Sequence, residues 1–191
     1  GMRFTQCYGS PYCAPSRTML LTGKYSFRNY YTWGVLNTDQ KTIGNMMKDN
    51  GYATLYSGKW QLDGGDASIK KFGFDKYAVF LPYRTDREDE AGYRYKNPSV
   101  FTNGSYLSDQ QVHGKYSDDI FCDSVLSFIK QNVNTPFFAY FSMTLCHAPF
   151  SPTPEDNNFD NWNPDNNSRP KFFPDMVKYM DRKIGDIVSL I

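Results

Sequence analysis

The sequence has little net charge and no long apolar run, and both absences narrow the possible functions. Its 21 Lys and Arg residues nearly balance its 20 Asp and Glu residues, which leaves a formal net charge of +1. A balanced charge supplies no basic surface of the kind that attracts nucleic acid. No run approaches the roughly 18 apolar residues of a transmembrane helix. We therefore expect neither a nucleic-acid partner nor a membrane span.

Cysteine and histidine are also scarce, and their spacing does not match a zinc site. The cysteines are Cys7, Cys13, Cys122 and Cys146, and the histidines are His113 and His147. A chain of 191 residues can bury a core without disulfides. The cysteines therefore leave the redox compartment open. His113 lies in a polar stretch and matches no motif, so we expect it at the surface.

The residues that are present predict one α/β domain over residues 1–191. Helical segments are expected at 16–21, 43–49, 116–132 and 174–191, and strands at 52–60 and 135–143. The aromatic strand at 135–143 is expected to be buried on both faces. A Pro-, Asn- and Asp-rich stretch at about 151–170 is expected to form an exposed, irregular loop.

Alternating helices and strands predict a mostly parallel sheet with helices on both faces. In such sheets the functional site lies beyond the carboxyl ends of the strands. Lys59 and His147 each follow a predicted strand by a few residues. This placement indicates that the two side chains belong to one site.

Cys13 lies just before the first predicted helix, in "YCAPSRTMLLTGKY" at residues 12–25. A helix N-terminus favours an anion and lowers the pKa of a thiol, and Arg17 one turn later can reach the same anion. The alternative is a buried structural cysteine. The cysteine-phosphatase pattern is not met, because Met19 stands where that pattern requires arginine.

The run Cys-Ala-Pro-Ser-Arg at 13–17, followed by Leu-Thr-Gly at 21–23, resembles the signature of the formylglycine-dependent sulfatases of the alkaline phosphatase-like superfamily. Further segments are similar to that family in the same order: "SGKWQL", "FGFDKY", "YSDDIFCDSVLSFIKQN", "CHAPF" and "YMDRKIGDIVSLI". The resemblance covers nearly the whole chain. It implies that a formylglycine-generating enzyme oxidises Cys13 to formylglycine, whose hydrated aldehyde is the nucleophile.

The resemblance also implies roles for the other site residues. Arg17 would support the formylglycine, Lys59 would bind the sulfate, and His147 would donate to the sulfate or the leaving oxygen. Spacing alone favours an ordinary exposed lysine at 59, and a hydrogen-bonded loop histidine at 147 is an equal alternative. Gln61 is expected to bind the substrate with Lys59 and His147; it stands where the family usually has histidine, and glutamine can hydrogen-bond but cannot transfer a proton near neutral pH.

The family's metal ligands are the main departure from the pattern. Family members bind Ca²⁺, or sometimes Mg²⁺, through a paired Asp-Asp and an Asp-Asn-Gly sequence, and such an ion needs about six oxygen ligands. In this chain the formylglycine at Cys13 is the one expected ligand. We therefore expect an incomplete domain, truncated at both ends and inactive alone, with sheet edges that a homodimer could cover.

The expected function of the parent protein is hydrolysis of a sulfate ester, on an aryl or carbohydrate substrate. Two alternatives stay open. One is a non-catalytic remnant that binds sulfate or glycan, and the other is a phosphoester hydrolase of the same superfamily. Sulfatases of this kind are often exported, so a periplasmic or secreted location is expected for the intact protein.

Overall fold

A computed structural model describes residues 2–29, 32–83, 94–163 and 168–191. The helices are α1 (Cys13–Thr22), α2 (Ser26–Asn29), α3 (Ile43–Asp49), α4 (Gly65–Lys71), α5 (Asp109–Val112), α6 (Ser117–Gln131) and α7 (Phe173–Val188). The strands are β1 (Ala53–Lys59), β2 (Lys76–Phe80), β3 (Phe101–Thr102), β4 (Ser105–Tyr106) and β5 (Phe137–Ser142). None of the helices in the described ranges is both long and apolar enough to cross a bilayer.

The five strands form one sheet in the order β4-β3-β2-β1-β5. β1 lies parallel to β2 on one side and to β5 on the other, whereas β3 and β4 are antiparallel additions. The predicted mostly parallel sheet is confirmed. Lys59 pairs with Phe80, and Gly58 pairs with Ser142. The carboxyl ends of β1, β2 and β5 therefore meet at one edge of the sheet.

Helices cover both faces of the sheet, as predicted. Tyr56 of β1 points into a cluster that includes Ile69 of α4 and Phe72. Leu55, the preceding residue, points to the opposite face and contacts the cluster that contains Val125 and Phe128 of α6. Side chains alternate across a strand, so one central strand supplies both apolar clusters.

The start of α3 follows the prediction made from its sequence. The Thr42 hydroxyl accepts a hydrogen bond from the Asn45 backbone N–H at 3.3 Å, and the Asn45 side chain accepts one from the Thr42 N–H at 3.0 Å. This reciprocal pair satisfies two amide groups at the start of the helix. Asn50 ends the helix, again as predicted.

Two local predictions are wrong. The first helix begins at Cys13 rather than at Ser16, because Pro15 fits within a first turn whose amides need no helical acceptor. The strand β5 is half-buried along its length rather than fully buried. It lies at the edge of the described sheet, where one side of the strand has no neighbouring strand.

Two further segments differ in exposure from the prediction. The helical spacing of Met176, Ile184 and Val188 predicts one apolar stripe on α7; Met176 is buried, but Ile184 and Val188 are 45% and 67% exposed. In the polar stretch expected to be exposed, Thr153 and Phe159 are buried at 1% and 7% exposure. Residues 164–167 of that stretch lie outside the described residues.

Candidate functional site

Cys13, Lys59 and Gln61 meet where α1 begins and β1 ends. The Lys59 ammonium lies 3.7 Å from the Cys13 sulfur, and the thiol donates to the Gln61 side-chain oxygen at 3.6 Å. Lys59 is 6% exposed, so it is not the exposed surface lysine that its spacing alone favours. The structure thus brings these three residues of the predicted site into direct contact.

Arg17 fixes α1 against the end of β1. Its guanidinium donates to the backbone carbonyl of Trp60, to that of Lys59 at 3.5 Å, and to the Gln61 side-chain oxygen at 3.1 Å. The arginine is one helical turn after Cys13, so both side chains lie on the same face of α1. Its Nε atom is buried and has no hydrogen-bond partner within the described part of the chain.

The backbone at position 58, directly before Lys59, requires glycine. Its φ is +97°, a region that residues with a side chain rarely adopt. A Cβ atom at this position would lie 1.9 Å from the carbonyl oxygen of Ser142 on β5. Glycine therefore allows β1 and β5 to approach closely just before Lys59.

Gln61 also has a left-handed backbone, with φ of +44°. This conformation is unfavourable for a residue with a side chain, and residues of this kind are enriched at functional sites. The Gln61 N–H donates to the Leu81 carbonyl at 2.9 Å, which keeps the β1–β2 ladder intact beyond the strand ends. The surrounding contacts hold Gln61 in this conformation beside Cys13 and Arg17.

The charges around Cys13 favour an anion at this position. Burial raises the pKa of the Cys13 thiol, but the positive charges of Lys59 and Arg17, with hydrogen bonds from Arg17 and the Ala14 N–H, lower it below 9.0 overall. Burial and the nearby charge of Arg94 lower the pKa of Lys59 from 10.5 to about 8. Lys59 is therefore mostly charged at neutral pH.

His147 lies in the loop that follows β5, at the same edge of the sheet. Its side chain is exposed, and its Nδ1 atom lies 2.6 Å from the Ala148 carbonyl oxygen. Partial desolvation lowers the pKa of His147, the hydrogen bond to Ala148 opposes this effect, and the charges of Arg94 and Lys59 reinforce it. His147 is thus within electrostatic reach of Lys59.

Arg94 is a site residue that the sequence analysis did not identify. It is 6% exposed, and its guanidinium lies 5.2 Å from the centre of the Phe80 ring. Phe80 is the strand neighbour of Lys59, so the two cations lie near one another. A buried arginine has no local spacing signal, and its position depends on the folding of distant segments.

The described residues do not by themselves fit a calcium site. Within the described ranges, no group of three or more His, Cys, Asp or Glu side chains is placed to hold a metal ion. Cys13 is the one predicted ligand in the cluster, and it would need conversion to an oxygen-bearing side chain to bind a hard cation. His113 is exposed beyond α5, as predicted, and takes no part in the site.

A cysteine flanked by buried arginine and lysine, at the carboxyl edge of a parallel sheet, is an arrangement that favours an anion. The family model for Sulfatase matches residues 1–191. The chain therefore belongs to the sulfatase family. Its fold is the mostly parallel, alkaline phosphatase-like fold of its structural neighbours.

Curated relatives and solved structures agree with this assignment. The chain is 29% identical to N-acetylglucosamine-6-O-sulfatase of Bacteroides thetaiotaomicron, over 81% of this chain and 26% of that protein. It is 30% identical to an arylsulfatase of Hemicentrotus pulcherrimus, over 78% and 31% of the two chains. The structure of BT4656 in complex with its substrate D-glucosamine-2-N,6-O-disulfate matches with a TM-score of 0.65 and 28% identity, over 80% of this chain and 28% of that chain.

A structure of Ps i-CgsB in complex with a neocarrahexaose matches the fold with a TM-score of 0.72 at 24% identity, over 94% of this chain and 44% of that chain. The chain spans 26% and 31% of the two curated relatives described above. The activity of a whole sulfatase therefore enters below as a proposal.

Proposed function

We propose that this segment forms the nucleophile side of a sulfate-ester hydrolase site, with formylglycine at position 13. The convergence of buried Arg17 and Lys59 on Cys13 carries the proposal. Both cations favour the negatively charged group that develops during attack on a sulfate ester. A structural cysteine has no need of two buried cations, which are expensive to desolvate.

Formylglycine requires oxidation of the Cys13 side chain before any hydrolysis. The Cβ–S bond breaks and sulfur leaves as hydrogen sulfide, water supplies the aldehyde oxygen, and Cβ gives up two electrons while two protons are released. An external oxidant supplied by a formylglycine-generating enzyme accepts those electrons. The hydrated aldehyde then supplies a hydroxyl group that can attack sulfur, which divides a difficult hydrolysis into two easier steps.

The residues around position 13 have distinct proposed roles. Lys59 neutralises the sulfate oxygens, and its ammonium can supply a hydrogen bond to the ester oxygen that departs. Arg17 holds α1 and the end of β1 together and adds positive charge beside the nucleophile. Gln61 orients Arg17 and the side chain at position 13, since its side-chain oxygen accepts hydrogen bonds from both residues. Over the whole reaction water adds across the S–O bond, which yields the alcohol and sulfate.

His147 is proposed to donate a hydrogen bond or proton to the leaving oxygen. A carbonyl oxygen accepts only, so Nδ1 carries the proton in the hydrogen bond to Ala148, and Nε2 of the neutral ring is an acceptor. Nε2 therefore donates to the leaving oxygen in the imidazolium form, which the lowered pKa of His147 makes the minor form near pH 7.

The substrate class is proposed to be a sulfated carbohydrate or an aryl sulfate. Similar proteins include an N-acetylglucosamine-6-O-sulfatase and an arylsulfatase, which supports both classes. The proposal includes Ca²⁺ or Mg²⁺ in the protein at its native length, and a periplasmic or secreted location. A second copy of the chain could cover the open edge of β5. The roles given to Arg17, Lys59 and His147 do not depend on these additions.

The decisive experiment replaces Cys13 in the protein at its native length, coexpressed with a formylglycine-generating enzyme. Cys13→Ala is expected to reduce hydrolysis of an aryl sulfate by at least about 1,000-fold, because it removes the nucleophile. Mass spectrometry of the Cys13 peptide should show the aldehyde in the parent protein. Cys7→Ala, at an exposed cysteine, is the matched control and should leave activity unchanged.

Full activity in Cys13→Ala would contradict the proposed function. Calorimetry with a sulfated sugar separates the first alternative, because binding without turnover would indicate a non-catalytic remnant. Parallel assays with an aryl phosphate separate the second. Faster hydrolysis of phosphate than of sulfate would indicate a phosphoester hydrolase.

A further inference from the structure

Tyr95 forms hydrogen bonds to the backbone of the loop that carries His147. The Tyr95 hydroxyl lies 3.0 Å from the Thr144 carbonyl oxygen and 2.6 Å from the His147 carbonyl oxygen, and it can donate to either. The His147 N–H in turn donates to the Thr144 carbonyl at 3.2 Å. One buried hydroxyl therefore contacts both ends of the turn that ends at His147.

Asp118 holds the same turn from a second side. Its carboxylate accepts hydrogen bonds from the Thr144 N–H at 3.0 Å, from the Thr144 hydroxyl, and from the Ser117 hydroxyl at 3.1 Å. Asp118 is completely buried. Burial raises the pKa of its carboxyl group to about 6, while these hydrogen bonds favour the ionised form.

Tyr95 and Asp118 are themselves connected. The Ser117 N–H, adjacent to Asp118, donates to the Tyr95 carbonyl at 2.8 Å. We call Tyr95, Ser117, Asp118 and Thr144 the loop network, and each of the four is at most 2% exposed. A buried carboxylate is expensive, and apolar residues of similar size are often as stable. Stability alone therefore does not explain why an ionisable group lies here.

The His147 side chain is exposed. In the part of the chain that the structure describes, its hydrogen bond joins Nδ1 to the carbonyl of the next residue. The position of the ring consequently depends on the backbone that the loop network holds. Misplacement of a catalytic group by about 1 Å can reduce a rate by about 100-fold.

We propose that Tyr95 and Asp118 are positioning residues that fix the orientation of His147 through the backbone of Thr144 and His147. This inference rests on the proposed function only for the catalytic use of His147. The positioning itself is a property of the loop, and it can be measured without any turnover.

The test uses Tyr95→Phe, which removes the hydroxyl and keeps the ring that stacks on Tyr116 at 5.4 Å. Tyr179→Phe is the matched control. Tyr179 is 2% exposed and also packs on Tyr116, but its hydroxyl donates to Asp119 rather than to the loop. Asp118→Asn is a second variant, which replaces one hydrogen-bond acceptor by a donor.

The first readout is the NMR titration of the His147 ring, with His113 as an internal reference because the chain has two histidines. Tyr95→Phe should move the His147 resonances and raise the pKa of His147 towards 6.5, since a released loop is better solvated. The His113 resonances, and all those of Tyr179→Phe, should stay in place. An unchanged His147 titration in Tyr95→Phe would overturn the inference.

The second readout is steady-state kinetics on an aryl sulfate with the protein at its native length. Tyr95→Phe should lower kcat by at least about 10-fold with KM changed far less, because positioning acts in the transition state. Equal kcat values in Tyr95→Phe and the parent would also overturn the inference. A parent protein without sulfatase activity would instead contradict the proposed function, and the NMR titration would still decide the positioning of His147.

Discussion

Cys13, at the start of α1, and Cys146, in the loop after β5, are both partly buried, yet the pKa values of their thiols move in opposite directions. Burial raises both pKa values. At Cys13 the charges of Lys59 and Arg17 outweigh burial, whereas at Cys146 the charge of Asp118 adds to it. The charges nearest Cys13 are therefore positive, whereas the charge nearest Cys146 is negative.

This difference assigns separate tasks to the two sides of the site. The β1 side consists of Cys13, Arg17, Lys59 and Gln61. Its two cations lie beside Cys13 and favour an anion there. The loop after β5 is instead organised by a carboxylate and hydroxyl groups that hold backbone. We infer that the β1 side binds charge, while the β5 side positions the exposed imidazole of His147.

The largest expected effect comes from Gly58, where the two sides meet. Gly58→Ala should reduce the free energy of unfolding by about 3–5 kcal/mol, because it combines a left-handed backbone penalty with a clash against the Ser142 carbonyl. Urea unfolding measures the change. Gly23→Ala separates the two causes, since Gly23 has φ of +65° with no atom within 4 Å and should lose only about 1–2 kcal/mol. Equal losses in both variants would exclude the close approach as the cause.

Arg17→Met should cause the next largest loss in the free energy of unfolding, because it removes contacts on the β1 side. The change removes the side-chain donor to the Trp60 carbonyl, which should cost about 1–3 kcal/mol, whereas the Lys59 carbonyl keeps its hydrogen bond from the Tyr56 hydroxyl at 2.8 Å. Arg28→Met, at an exposed arginine, should stay within about 0.5 kcal/mol of the parent in the same unfolding experiment. A similar loss in both variants would show that the contacts of Arg17 are not the cause.

The smallest effect compares the two thiols directly, in protein made without the modifying enzyme. Alkylation of Cys13 should reach half its maximal rate below pH 9.0, and alkylation of Cys146 above pH 9.0, because thiolate is the reacting form. Peptide mapping by mass spectrometry separates the two sites. Lys59→Met removes one cation and should move the Cys13 midpoint to higher pH, while the Cys146 midpoint stays. A common midpoint for both thiols would remove the basis of the comparison.

The sequence predicts the β1 side better than the β5 side, and the reason is distance along the chain. Cys13 and Arg17 are one helical turn apart, so local spacing places them together, and Lys59 is expected in the site from its place after a predicted strand and from the family resemblance. Contacts of Tyr95, Asp118 and Arg94 form only after distant segments fold together. No spacing rule reports such contacts, and these residues emerged from the structure alone.

The two mistakes in strand and helix burial have a similar cause. Aromatic composition identified β5 as a strand, but the same composition suits a central or an edge position. The apolar spacing of α7 likewise identified a helix without indicating how much of its stripe a neighbour covers. In both cases the missing information is the position of the element relative to the rest of the sheet.

The edge position of β5 has a consequence for the exchange of amide protons with solvent. In the described sheet β5 pairs with β1 alone, so every second amide along Phe137–Ser142 points away from its partner strand. In deuterated buffer those outward amides should exchange early and their neighbours late, which gives a two-residue alternation along the strand. A second copy of the chain bound along this edge would slow the early set and abolish the alternation.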